Sequence, residues 1–502
     1  MIGNRESGIG NRRRLWRGGN REQGTGNRAR GIVLAAALTL VPVVAVGAQR
    51  SSFRADPARS AGAVEESQSS RKGGQAAAEE TSAADFWTTL GDSTLARLVG
   101  DALRENQDVE AVRARVSSAR AARTSSLLDM TPAITAVGGY SRQRLASTVI
   151  PGSESGVRLP EQDVWDAGLQ MSWDLDVFGR LRNTAQARGS LLEAADEDLK
   201  DVRVALAAQV ARAYFDLRGA QNRLAVARRN AENQRGTLEV TTQRLDAGRG
   251  TALDVERAQA QLSTTLAAIP GFEAEVAAAQ DRIAVLAGRE PGALTAQVGD
   301  SGVVVTLPES VAVGPTELVA RRRPDVRSAE EQVDASGAYV RAARADYLPR
   351  LALSGGAGYT SSRFDALGNA GTPRYTFGPV LSWPAFDLAR VKANTDAARA
   401  VQAEAKARYR QTVLRSMEEV EVSIRTYQKA RERLKHLEDA AAASERAADL
   451  ARLRFTEGAS DFLQVLDAER TLLEAQDRLA LGRTQASAAL VAVYRATGGG
   501  AR

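Results

Sequence analysis

The chain has 502 residues, no cysteine and a single histidine, His436. These counts exclude disulfides, thiolate or multi-histidine metal sites, His-based catalysis and a cysteine-borne lipid. The net charge of +6 lies entirely in residues 1–48, which hold eight Arg and two Glu; the remainder holds 59 basic and 59 acidic residues, so no nucleic-acid surface is implied.

In chain order, "GNR" recurs at Gly3, Gly10, Gly19 and Gly26 and carries no fold information. Gly31–Ala48 is a short apolar run behind Arg28 and Arg30. It contains Pro42 and ends in Val46-Gly47-Ala48. This pattern reads as a secretory signal peptide cut after Ala48 rather than a membrane-spanning helix. Residues 49–85 read as a flexible linker.

The rest repeats itself, with a first unit at 86–310 and a second at 311–497. Asp108-Val109 and Pro132 recur 217 residues on, as Asp325-Val326 and Pro349. Ser172-Trp173, Arg244, Gly248 and Leu262 recur 210 residues on, as Ser382-Trp383, Arg454, Gly458 and Leu472. The seven-residue drop places a longer loop in the first copy. Each unit reads helix, strand, loop, strand, very long helix, tight turn, helix.

Strands are expected at 133–142, 164–175, 351–360 and 375–383. In the second of these, Trp165, Ala167, Leu169, Met171, Trp173 and Leu175 alternate with Asp166, Gly168, Gln170, Ser172 and Asp174. Period 2 gives one apolar and one polar face, at a length that suits a membrane-crossing strand. Trp165, Leu169, Trp173, Tyr359, Phe377 and Trp383 are the expected lipid-facing belt. The first strand alternates less cleanly. The loops at 143–163 and 361–374, rich in Gly, Pro, Ser and charge, read as exposed.

From Leu192 to Ala231, apolar residues recur at spacings of three and four, which is a coiled-coil seam. A helix from about Phe178 to Leu245 is roughly 100 Å long at 1.5 Å per residue. Gly248, Gly250 and Gly458 break the pattern as hairpin turns near 246–252 and 456–461. Four strands with open edges cannot cross a bilayer alone. Three chains supply twelve strands, and the helices then extend the lumen. The fold class is mainly α with a small β part: a long coiled-coil α-barrel and four membrane strands per chain, closing a twelve-stranded barrel in a trimer.

"RRRPDV" (321–326), "SWDLDVFGRLR" (172–182), "RLDAGRGTALDV" (244–255), "RFTEGASDFLQVLDAER" (454–470) and "YRATGGG" (494–500) together resemble the outer-membrane factors of tripartite efflux pumps, of the TolC and NodT type. The resemblance covers roughly 86–500. It implies a homotrimer in the outer membrane, with its helical part in the periplasm. It also implies a periplasmic adaptor and an inner-membrane pump as partners, small-molecule cargo, no cofactor and no enzymatic chemistry. Leu463 and Asp467 match positions that constrict the periplasmic entrance. Asp254 and Phe455 match positions in the links that hold it shut, and Gln464 lies between the constriction positions. Ser460 stands where one relative has a basic partner for Asp254. A type I protein-secretion channel shares these features. A periplasmic coiled-coil adaptor would lack duplicated membrane-length strands.

Local readings stand beside the resemblance. In "RRRPDV", Pro324 suits a first helical position, Asp325 complements the helix dipole, and Arg321–Arg323 cap the preceding helix. Asp196-Glu197-Asp198 and Glu418-Glu419 read as solvated helix faces. Acids at the tips equally serve as N-terminal dipole partners. "GRGTAL" lacks the third glycine of a phosphate-binding loop.

Overall fold

Alternation and coiled-coil seam both become structure in the computed structural model. Its described residues are 86–87, 92–144, 160–293, 307–311 and 314–499. The signal-peptide and linker expectations, and most of the 143–163 loop, lie outside them. All described residues belong to one unit, Ser67–Arg502.

The elements are α1 (Ser93–Glu105), α2 (Gln107–Leu128), β1 (Ala133–Gln143), β2 (Gln162–Asp174), α3 (Arg180–Asp246), α4 (Ala252–Leu286), α5 (Thr316–Arg322), α6 (Pro324–Ala345), β3 (Arg350–Ser361), β4 (Pro373–Ser382), α7 (Leu388–Thr456) and α8 (Phe462–Ala496). A 3-10 turn at Phe364–Ala366 lies in the β3–β4 loop. The order helix, strand, strand, long helix, helix thus occurs twice. Leu175 and Trp383, expected inside strands, fall just beyond them.

Helix α3 has 67 residues and α7 has 69. The expected seam is the packed side of α3: Leu192, Leu206, Val210, Ala213, Leu217, Ala220, Ala227 and Ala231 are buried. Helix α4 runs through Pro270, which lacks the N–H for one helical bond. The main core lies beside the middle of α3. Trp87, Leu95, Leu98 and Val99 pack there against Tyr214, Leu217, Ile283, Leu490 and Tyr494. Trp87 and Tyr494 rings sit 4.7 Å apart. Asp92 caps α1, accepting from Thr94 N–H at 2.9 Å, and also accepts from the Tyr214 hydroxyl. Asn106 caps α2 and donates to Leu286 O at 2.9 Å. These bonds tie the start of α1 to α3, and the α1–α2 junction to the end of α4.

"RRRPDV" is where the structure corrects the sequence reading. Arg321 does pair with Glu317 in the preceding helix, at 2.9 Å. Arg323 instead donates to Ala496 O, at the end of α8, at 3.2 Å. It also bonds Asp325 at 2.8 Å and Glu419 at 2.7 Å. A nearly buried guanidinium holds the start of α6 against α7 and the last turn of α8. Its carboxylate partners keep it charged, outweighing the burial that opposes charge. Glu419 is therefore half of an inter-helix ion pair rather than only a solvated acid. Glu197 likewise pairs with Lys200 at 3.0 Å and reaches Arg327 at 4.0 Å.

Candidate functional site: a two-faced sheet and a pair of hairpin tips

The sheet order is β1-β2-β3-β4, all antiparallel. Directly paired residues of an antiparallel ladder point to the same side, so register decides which parities share a face. Tyr140 pairs with Trp165, Ala136 with Leu169, Leu169 with Ala357, and Ala357 with Tyr375. One face therefore collects Ile134, Tyr140, Trp165, Leu169, Met171 and Trp173, joined by Leu353, Tyr359, Phe377 and Leu381. The other collects Thr135, Ser141, Asp166, Gln170, Ser172, Ser354, Thr360, Arg374 and Thr376. The weakly alternating β1 joins the pattern on its even residues.

The apolar side chains stand exposed: Ile134, Tyr140, Leu169, Tyr359, Tyr375, Phe377 and Leu381 are each more than two-fifths accessible. Water would not sustain such a patch; hydrocarbon would. Against the polar face lies a hollow of about 440 Å³, lined in part by Gln170, Ser172, Gly356 and Thr376. There Arg374 bridges to Asp166 at 3.0 Å, across Gly358 of the intervening strand. A Cβ on Gly358 would lie 2.3 Å from Ala167 O, so the close approach requires glycine.

Trp173 and Trp383 behave alike at the helical end of the sheet. Trp173 Nε1 donates to Met130 O at 2.8 Å, and Trp383 Nε1 donates to Tyr347 O at 3.1 Å. Each indole fastens a strand exit to the chain entering the neighbouring strand. Trp383 does this from one residue past β4, so it is a junction residue as well as an apolar surface. At the other end Tyr140, Trp165 and Phe364 form an aromatic row, with centroids 4.5 and 5.1 Å apart.

The opposite ends of the long helices form the tips. Gly248 and Gly458 take φ of 70° and 74°, the left-handed region where glycine is unstrained. Gly250 follows as part of the turn without a positive φ. Thr251 caps α4: its hydroxyl accepts from Asp254 N–H at 3.2 Å and donates to the Asp254 carboxylate at 2.7 Å. Asp254 is thus engaged in its own cap. Asp461 caps α8 by accepting from Leu463 N–H at 3.2 Å.

In α8, Phe462, Val465 and Glu469 turn inward, while Leu463, Gln464 and Asp467 are exposed. Leu463 and Asp467 lie one turn apart on one side, and Asp467 pairs with Arg470 at 3.1 Å. Phe455 is not on that side. It is buried with Ala258, Phe462 and Val465, its ring 5.5 Å from Phe462.

Arg244, read from sequence only as a marker of the repeat, turns out to act at the tip. Its guanidinium lies 4.5 Å from the Phe455 ring centroid and donates to Phe455 O. It caps the end of α7 from the end of α3. Deeper in, Glu469 is 4% exposed in its side chain and accepts from Arg452 at 2.9 Å and Thr237 at 2.9 Å. The three residues come from three helices. Only the basic residue in the last turn of α3 offered a sequence signal, and nothing in it named a partner 211 residues away.

No helix among the described residues is long and apolar enough to cross a membrane. No cluster there could hold a metal ion.

The family model described as "Outer membrane efflux protein" matches residues 98–289 and 316–499, one segment in each repeat. Outer membrane protein OprJ of Pseudomonas aeruginosa is 31% identical over 428 residues, which is 83% of this chain and 86% of that protein. The cation efflux system protein CusC of Escherichia coli K12 is 28% identical, covering 84% of this chain and 90% of CusC. Among solved structures, the outer-membrane channel OprN superposes with a TM-score of 0.76 at 39% identity, over 82% of this chain and 92% of that one. The open-state MtrE channel of Neisseria gonorrhoeae gives 0.70 at 25% identity, over 80% and 88%. With both halves matched by the family and both faces of the sheet accounted for, the chain belongs to the outer membrane efflux protein family, as the outer-membrane channel component of an efflux system.

Proposed function

We propose that three copies of this chain close a twelve-stranded barrel over a helical tunnel, and that the tunnel passes small molecules handed over by a periplasmic adaptor and an inner-membrane pump. The observation that carries this reading is the sheet. Four strands share one exposed apolar face and leave β1 and β4 as edges among the described residues. Unpaired edges in hydrocarbon cost several kcal/mol per group, so closure with further copies is the physical remedy.

Relatives named for toluene efflux, cation efflux and pyoverdine export support small cargo. At the tips, Leu463, Gln464 and Asp467 form the proposed constriction, while Asp254 and Phe455, with Arg244, hold the helix ends that must splay for opening. Light scattering of the detergent-solubilised protein, with membrane fractionation, tests the assembly. A trimer mass in the outer-membrane fraction is expected; a soluble periplasmic monomer would contradict the reading.

A further inference from the structure

Beside the middle of α3, where Tyr214 and Leu217 carry the main core, the helix presents Gln209, Arg212 and Asp216 in another direction. There α4, α3 and α8 line a groove of about 410 Å³. Its floor is apolar, with Ala208, Ala213 and Val491 among the lining residues, and Arg212, Arg282 and Arg495 also line it. Arg212 is held by Asp216 at 3.0 Å. Arg282 and Arg495 are exposed, and no ion pair engages either among the described residues. Asp216, the acid in the lining, is engaged by Arg212, and Asp201 lies within electrostatic reach of Arg495. Burial first, and then Asp325, hold the Asp201 carboxyl above the usual range, while Arg323 and Arg495 pull it down.

We infer that this groove is a way-station for amphipathic anions, which lay an apolar body on the alanine floor and a carboxylate, sulfonate or phosphate against Arg282 and Arg495. The inference rests on the duct reading for its place in the tunnel. The α1 segment with Trp87 covers the core side of α3, so a passage must run along the side left open, and the groove is hollowed between α3, α4 and α8 on that side. Charge complementarity selects the occupant. Planar guanidinium forks match oxyanions in a bidentate way that an ammonium cannot, and the two free forks have no carboxylate of their own. The volume falls within the ~300–1,000 Å³ usual for small-molecule sites. The groove is open rather than enclosed, which favours weak binding and release, as conduction requires.

The full chain in lipid nanodiscs, titrated calorimetrically with naphthalene-1-sulfonate, tests the site. Saturable binding is expected, weakened at least ~10-fold in Arg282→Gln/Arg495→Gln, since two charge-assisted contacts are lost. It should be partly retained in Arg282→Lys/Arg495→Lys. The cation 1-naphthylmethylammonium should not compete. Both arginines are exposed, and an unchanged circular dichroism spectrum verifies the folded variants. Equal affinity in the Gln variant, or competition by the cation, overturns the inference. Planar-bilayer current is recorded on the same preparations. Absence of any channel would count against the duct, while the binding result still decides the groove.

Discussion

At the first hairpin tip, the N–H of Gly248 reaches Leu245 O at 2.9 Å and that of Arg249 reaches Arg244 O at 2.8 Å. At the second, Gly458 reaches Phe455 O at 2.9 Å and Ala459 reaches Arg454 O at 2.8 Å. The two turns are one backbone motif, repeated 210 residues apart. Their interiors differ. The second tip supplies Phe455, Phe462 and Val465 to a buried cluster, and the first supplies Ala258. The first tip relies on the Thr251 cap and on Arg244, which leans on the second. Duplication kept the turn, while the apolar anchor became concentrated in one copy. The exposed Leu463, Gln464 and Asp467 sit on that anchored copy. A constriction proposed there would rest on that buried cluster, to which the first tip contributes only Ala258 among its buried members. Amide exchange should accordingly be faster around residues 246–252 than around 456–461.

The largest way to break this asymmetry is Phe455→Ala. Removing a buried aromatic costs ~3–5 kcal/mol, and the loss should appear as faster amide exchange at both tips, because Ala258 and Arg244 both pack on Phe455. Thermal melting of the whole protein should move much less, since the main core is elsewhere. Exchange unchanged at the first tip would show that the two hairpins are not coupled through this ring.

At the membrane end the copies should respond alike. Leu169→Lys in the first and Phe377→Lys in the second each place a charge on the lipid side, at ~2–4 kcal/mol per chain near the midplane. Heat-resistant trimer on semi-native gels should fall sharply for both. Gln170→Lys and Thr376→Lys, one residue away on the polar face, should assemble normally. Equal damage from all four would overturn the assignment of faces.

Smaller and symmetric effects belong to the turns. Gly248→Ala and Gly458→Ala each force a side chain into the left-handed region, at ~1–2 kcal/mol. Matching increases in tip exchange are expected, and a silent variant would show that its turn had found another backbone. Smallest are Trp173→Phe and Trp383→Phe. Each removes one indole hydrogen bond, worth ~0.5–1.5 kcal/mol, so melting temperatures should drop slightly and by similar amounts.

Much of the membrane part was legible in the sequence, because period 2 in β2 survives without help from tertiary contacts. β1 was harder. Gly138 and Gly139 blur its alternation, and only its pairing with β2, as of Tyr140 with Trp165, assigns its face. The long helices and both turns were legible from the apolar seam and from glycines that take positive φ. Arg323 was not, since its partners Glu419 and Ala496 are near it only in three dimensions. The tips were half legible. The resemblance singled out Leu463 and Asp467, and spacing puts them on one side of α8, but Phe455 is a packed ring with Phe462, Val465 and, from the other hairpin, Ala258 around it. Glu469 looked like any helical acid until Thr237 and Arg452 closed around it.

Single-channel conductance of the trimer in planar bilayers bears most directly on the proposed entrance. If Leu463 and Asp467 from three chains narrow one axis, the wild type should conduct poorly and be blocked further by multivalent cations, which a carboxylate ring binds. Leu463→Ala combined with Asp467→Ala should raise the conductance and weaken that block. A correctly assembled double variant with wild-type conductance and wild-type block would remove both residues from the gate.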